Sequence, residues 1–303
     1  LVSGVERRGR AVALGNFDGV HLGHRVVLDR AIEEGRKRNL EVIAATFDPH
    51  PRAVLKPESA PKLLSDLKTR KRLLVEAGMD GVAVVPFDRD LSTESPEEFV
   101  ESVLIRTLGA EVVVVGKNFR FGYRASGGLA DLQRIMASHG GEAFGAGVRQ
   151  AGAEVISSTR IRAMLDAGDV AGAATLLGRP HEVTGIVIPG DRRGRTIGFP
   201  TANVLPPQDV IVPERGVYAC LVRLRGELYP SCVNVGFAPT FGERESRIEA
   251  HLLDFEGDIY GERIGVGFVS RIRGEKKFSG VEELVEQIGR DSERARSLLA
   301  GHG

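Results

Sequence analysis

The sequence predicts an α/β half followed by an all-β half, and three observations carry that reading. Apolar runs alternate with helically periodic stretches up to about Gly178; short strands separated by turns follow Gly178-Arg179-Pro180; a last amphipathic stretch covers residues 281–300. Residues 1–178 and 179–303 are therefore the two expected domains. The chain has 303 residues, 42% hydrophobic and 27% charged, enough for two ordinary cores.

In the first half, Val12, Ala13 and Leu14 end a first strand, and residues 25–38 carry a helix with apolar Val26, Val27, Leu28, Ala31 and Ile32. Residues 42–47, 82–85 and 112–115 are further strands. The unbroken run Val112-Val113-Val114-Val115 fits a parallel sheet covered on both faces, whose ligands gather at the carboxyl ends of its strands. Ser95-Pro96-Glu97-Glu98 reads as a helix start, with Ser95 as N-cap and Glu98 three residues on. In the second half, residues 181–188, 217–224, 228–235, 248–255 and 264–272 read as strands of a small antiparallel barrel. Arg225-Gly226-Glu227 supplies one of its turns, and residues 281–300 its helical cover.

Composition excludes several classes. Forty-one Lys plus Arg balance forty-one Asp plus Glu, so no overall field draws the chain to nucleic acid or an anionic membrane, and any anion site must be local. No apolar run approaches the roughly 20 residues of a membrane span, and the expected compartment is the cytoplasm. Cys220 and Cys232 are the only cysteines; they could pair across neighbouring strands, but reduced, buried thiols are the favoured state.

The segment Gly15-Asn16-Phe17-Asp18-Gly19-Val20-His21-Leu22-Gly23-His24 lies where a strand passes into a helix. Gly15, Gly19 and Gly23 allow close backbone approach, and the first-turn amides of a helix favour phosphate. His21 and His24, three apart, share a helical face and suit the neutralisation of charge growing on a triphosphate. A zinc site is disfavoured, because two histidines do not complete a ligand set and no nearby carboxylate or cysteine falls at a helical spacing. Thr46-Phe47-Asp48-Pro49-His50-Pro51 leaves the second strand through two prolines and puts His50 in a loop, where simple exposure is the alternative. Gly116-Lys117-Asn118-Phe119-Arg120-Phe121-Gly122 suits a flavin or base ring plus phosphate, or an ordinary loop with packed phenylalanines. Ile156-Ser157-Ser158-Thr159-Arg160-Ile161-Arg162 opens another helix, whose hydroxyls either cap it or meet phosphate beside Arg.

In the second half, Gly190-Asp191-Arg192-Arg193-Gly194-Arg195-Thr196-Ile197-Gly198-Phe199-Pro200-Thr201-Ala202-Asn203 reads as a loop able to fold round phosphates. Thr201 and Asn203 offer oxygens to a magnesium nucleotide; a glycine-rich turn with an Asx cap is the alternative. Strand alternation puts Arg247, Glu249 and His251 on the face opposite Ile248 and Ala250, and Glu249 there is placed to take a hydroxyl proton or simply to face water.

Together, and in this order, these motifs resemble the bifunctional riboflavin kinase/FAD synthetase family over nearly the whole chain. The resemblance implies an N-terminal Rossmann-like nucleotidylyltransferase domain that adenylylates FMN, and a C-terminal antiparallel flavokinase barrel with a terminal helix that makes FMN from riboflavin. It implies riboflavin, FMN and ATP as partners, with flavins as substrate and product and Mg²⁺ accompanying ATP. It places His21 and His24 at the ATP phosphates, with Gly15, Phe17, Asp18, Gly23, His50 and Asn118 lining the nucleotide and flavin site and Ser158, Thr159 and Arg162 completing phosphate binding. In the kinase half it assigns nucleotide binding to Gly190, Gly194, Arg195, Thr201 and Asn203, metal to Thr201 and Asn203, and the base role to Glu249. A single-activity nucleotidylyltransferase with a non-catalytic barrel, or a flavin or nucleotide sensor, is the alternative. The oligomeric state stays open.

Overall fold

The computed structural model describes residues 9–152, 154–190, 198–237 and 246–301. They form two compact units, one drawn from residues 9–61 and 67–156, the other from residues 62–66 and 157–301.

The first unit is a five-stranded parallel sheet in the order β3-β2-β1-β4-β5, built from β1 (Arg10–Leu14), β2 (Glu41–Asp48), β3 (Gly81–Pro86), β4 (Ala110–Gly116) and β5 (Glu142–Ala146). The valine run of β4 is buried from Val112 to Val115, as a strand covered on both faces must be. Side chains alternate between two cores. Val12, Leu14, Val113 and Val115 point to the layer holding Leu104, Leu132 and Met136, while Ala11, Ala13, Val112 and Val114 point to the layer holding Leu28, Ala31 and Leu74. The helices are α1 (Leu22–Lys37), α2 (Pro51–Leu55), α3 (Leu67–Glu76), α4 (Pro96–Phe99) and α5 (Leu129–Ser138). The Ser95 start is a full capping box: Ser95 Oγ accepts from the Glu98 N–H at 3.2 Å, and the Ser95 N–H donates to Glu98 Oε2 at 2.7 Å. The edge strand β5 was not foreseen, because Glu142-Ala143-Phe144-Gly145-Ala146 is short and half-buried. A two-residue hairpin, β6 (Gln150–Ala151) and β7 (Glu154–Val155), follows it.

The second unit opens with α6 (Ser158–Asp166) and α7 (Val170–Leu177), and α7 packs on the barrel at β8 (His181–Ile188) and β13 (Arg263–Arg273). The barrel closes in the order β10-β11-β12-β9-β8-β13, with β9 (Ala202–Leu205), β10 (Gly216–Leu224), β11 (Glu227–Phe237) and β12 (Ser246–Leu252). All of its pairings are antiparallel. The hairpin turn between β10 and β11 is Arg225-Gly226, with φ of 52° and 93° between the paired Leu224 and Glu227. The terminal helix α8 (Val281–Leu299) lays Ala295 and Leu299 on Val217, Ala219 and Cys232. One reading needs correction. Ala202 and Asn203 are not the end of a loop but the start of β9, a strand of four residues that joins β12 to β8 and closes the barrel. It is too short and too close to glycine and proline to show a period of two.

Register also decides the thiols. Ala219 faces Cys232 and Cys220 faces Ser231, so adjacent positions on β10 put the two cysteines on opposite faces of the ribbon. Both are free and buried. Burial pushes the Cys232 thiol up to about 12 and the Cys220 thiol well above its ordinary value.

His181 is the buried titratable group of β8. Its Nε2 lies 3.1 Å from the Ile211 carbonyl, which can only accept, so the neutral ring donates there. Burial depresses its pKa to about 4. The unfolded chain then binds a proton near pH 6.5 that the folded chain refuses down to about pH 4, so this contribution to stability is complete above pH 6.5 and is lost as pH falls through that window. Urea unfolding should show stability falling from pH 7 to pH 5, His181 supplying a slope of up to about 1.4 kcal/mol per pH unit. His181→Gln should flatten that slope, and an unchanged slope would assign the dependence to other groups.

Candidate functional sites on the two units

In the first unit the strand order reverses between β1 and β4, which are neighbours in space but not in sequence. The carboxyl ends of these strands form the crevice where a parallel α/β sheet takes its ligand. The Gly15–His24 motif leaves one of them, and Gly116-Lys117-Asn118 leaves the other. Leaving β1, the Gly15 N–H donates to the Ala45 carbonyl at 3.1 Å, and the turn continues through Phe17, Gly19 and Val20 with φ of 47°, 78° and 41°. Two of these are not glycine, so the surroundings must hold the strained turn in place. Phe17 does so by full burial, with its ring edge-on to His24 at 5.4 Å. Asp18 is also buried.

His21 is the N-cap of α1. Its Nδ1 accepts the His24 N–H at 3.2 Å, so its imidazole replaces the hydroxyl that usually caps a helix. The two imidazoles stack at 3.6 Å and 14°. Gly23 is required by close approach: a Cβ there would stand 2.9 Å from the Ile156 carbonyl oxygen and 3.0 Å from the His21 ring. His50 caps α2 by accepting the Arg52 N–H at 3.1 Å, so a structural role accompanies its place at the end of β2. Asn118 is exposed beyond β4.

Two residues behind the turn escaped the sequence reading. Thr46 Oγ1 donates to the Asn16 carbonyl at 2.8 Å. Arg70 of α3 is wholly buried and gives Nη1 to Thr46 Oγ1 at 3.2 Å and to the Phe47 carbonyl at 3.0 Å. Its Nε and Nη2 have no hydrogen-bond partner among the described residues. The available signal was a cation on the apolar stripe of α3, three and four positions before the buried Leu73 and Leu74.

In the second unit, register puts Asn203 of β9, Glu249 of β12 and Asn234 of β11 side by side on three neighbouring strands. Asn234 Nδ2 lies 3.5 Å from Glu249 Oε2. Arg247, two residues before Glu249 on the same face, donates through Nε and Nη2 to Asn203 Oδ1, the first at 2.8 Å, and its Nε lies 3.0 Å from Glu249 Oε1. Gly190 approaches closely too, since a Cβ there would be 2.1 Å from Asn203 Nδ2. His251 stays on this face, with Nδ1 2.8 Å from the Pro200 carbonyl. Thr201 and Asn203 line a cavity of about 480 Å³ that is also lined by Phe255, Gly257, Asp258 and Tyr260. Gly194 and Arg195 lie outside the described residues.

Ser158 and Thr159 are in the first turn of α6, capped by Ser157, whose Oγ accepts the Arg160 N–H at 3.3 Å. Arg162 Nε donates to the Lys62 carbonyl at 2.6 Å. Among the described residues no three His, Cys, Asp or Glu side chains are grouped to hold a metal. Thr201 and Asn203 are neutral oxygen donors of the kind Mg²⁺ takes when a nucleotide supplies the charge, and in that sense the pair fits a magnesium nucleotide. Asn203 Oδ1, however, already faces a guanidinium.

A reversing parallel sheet with a helix-start histidine pair, joined to a closed barrel that sets a carboxylate between two amides on neighbouring strands, suits a two-part transferase acting on phosphates. Residues 4–160 match the FAD synthetase family model, and residues 177–299 match riboflavin kinase. The chain is 39% identical over 299 residues to the bifunctional riboflavin kinase/FMN adenylyltransferase of Escherichia coli (strain K12), covering 98% of this chain and 95% of that protein. It is 38% identical to the protein of the same description from Bacillus subtilis (strain 168), with 96% and 92% covered. A crystal structure from Streptococcus pneumoniae, described as a macrolide-efflux protein, superposes with a TM-score of 0.86 at 32% identity, covering 97% of this chain and 95% of that one. Among the described residues no helix is long and apolar enough to cross a membrane. The chain belongs to the bifunctional riboflavin kinase/FMN adenylyltransferase family.

Gly23→Ala should destabilise the chain by about 1–3 kcal/mol, the usual cost of inserting a methyl into a filled space. A urea midpoint equal to wild type would show that the Ile156 carbonyl and the His21 ring move aside without cost.

Proposed function

We propose that this chain phosphorylates riboflavin with ATP to FMN and then adenylylates FMN with a second ATP to FAD, releasing pyrophosphate. The observation that carries the reading is that two family matches, to FAD synthetase and to riboflavin kinase, fall in tandem on one chain. The tandem matches disfavour a single-activity enzyme with an idle barrel, and also a sensor.

In the kinase step the terminal ribityl hydroxyl attacks the γ-phosphorus, the bond from that phosphorus to the β,γ-bridging oxygen breaks and ADP leaves, and Glu249 takes or orients the hydroxyl proton. The pairing of Glu249 with Asn234 Nδ2 and its neighbourhood with Asn203 support that role. Thr201 and Asn203 would hold magnesium, which would offset the negative charge of the nucleotide phosphates. Gly190 keeps the backbone close to the Asn203 amide.

In the adenylyl step a phosphate oxygen of FMN attacks the α-phosphorus of ATP, so the protein need supply no nucleophile. His21 and His24, stacked at the start of α1, present donors and a helix N-terminus to the charge that builds up. The Gly15 to Asp18 turn brings backbone close to the phosphates, and Asn118 is placed at the other lip of the crevice. The family resemblance also assigns phosphate contacts to Ser158, Thr159 and Arg162. We place the division of labour near Gly178, adenylyl transfer before it and phosphorylation after it, although α6 and α7 pack with the barrel unit. Two buried, free cysteines accord with a reducing cytoplasm.

Incubation with riboflavin and Mg-ATP, followed by chromatography, should yield FMN and FAD; no flavin product at saturation would overturn the reading. Glu249→Ala should abolish FMN formation and spare FAD formation from supplied FMN, and equal loss in both assays would contradict separate sites. His24→Ala should slow FAD formation by about 10²–10³, as loss of one preorganised donor does. An unchanged rate would remove His24 from the reaction.

A further inference from the structure

Arg247 makes its polar contacts to two groups among the described residues, Asn203 Oδ1 and Glu249 Oε1. Both belong to residues assigned above to the kinase step, one as a nucleotide and metal donor and the other as the base. An amide oxygen has two lone pairs, and here both are met by guanidinium N–H groups. That oxygen cannot ligate a divalent cation until the guanidinium leaves, and the two positive charges repel. The single N–H of Arg247 Nε is spent on Asn203, so its 3.0 Å approach to Glu249 is a contact of charges. The Arg247 side chain is 25% exposed, which gives it a route toward solvent.

We infer that Arg247 is a latch on the kinase site: a resident cation that holds Asn203 and Glu249 together and is displaced when a divalent metal-nucleotide enters. Displacement does two things at once. It opens Asn203 Oδ1 to the entering cation, and it releases Glu249 Oε1 from its ion pair so that the carboxylate can accept the flavin hydroxyl. Arg247 is therefore a positioning residue that couples nucleotide entry to release of the base. It rests on the kinase reading of this barrel.

The full chain is titrated with Mn²⁺ at saturating ADP and free metal is followed by electron paramagnetic resonance, for wild type, Arg247→Met and Arg247→Lys. Arg247→Met keeps the length and removes the charge, and should bind Mn²⁺-ADP more tightly by a factor of about five, the size of one partly exposed charge contact. The Mg²⁺ concentration that half-saturates FMN formation should fall by a similar factor, with FAD formation from FMN unchanged. Arg247→Lys, which keeps the charge, should stay close to wild type. Equal Mn²⁺-ADP affinity in wild type and Arg247→Met would overturn the latch. Weaker binding by Arg247→Met would overturn it as well and make Arg247 a phosphate ligand. Absence of FMN from wild type would sink the kinase reading, and the metal titration would still decide between latch and no latch.

Discussion

A polar group taken out of water must be given partners, and that requirement shapes both functional regions of this chain. Arg70 is buried in the first unit, where it draws Asn16, Thr46 and Phe47 together. Asn203 is buried in the second, where it is held by Arg247. In each case the partners lie far away in sequence: the turn after β1 and strand β2 for Arg70, strand β12 for Asn203. The local turns follow from these pairings.

In the first unit the pairing supports a costly backbone. Phe17 and Val20 hold positive φ in a turn that glycine would enter more easily. Burial of Phe17, the Gly15 N–H bond to Ala45 and the bond from Thr46 to the Asn16 carbonyl tie that turn to β2. The result is a helix start fixed by its own packing, with its two imidazoles stacked at 3.6 Å. The second unit is arranged differently. There the carboxylate and the amide oxygen are both tied to the Arg247 guanidinium.

Much of the architecture was legible in the residues. The capping box at Ser95, the buried valine run of β4, the Arg225-Gly226 turn and the terminal helix all express local periods or local backbone preferences, and each stands where the pattern put it. The alternation that set Arg247, Glu249 and His251 opposite Ile248 and Ala250 is likewise seen, with the latter two fully buried. What the pattern could not say was which strand lay beside which. The opposite faces of Cys220 and Cys232 and the row from Asn203 through Glu249 to Asn234 depend on register between strands.

The sequence by itself determined the two fold classes and the family, because these reside in periodicity and in contiguous motifs. Tertiary structure alone decided that Ala202–Leu205 is the strand closing the barrel, that Arg70 lies buried behind the histidine turn, and that Arg247 binds Asn203 and Glu249. Arg70 reaches a carbonyl 54 residues away and Arg247 an amide 44 residues away. Such contacts leave no local periodicity, because the burial that makes them favourable exists only once the distant strands have paired.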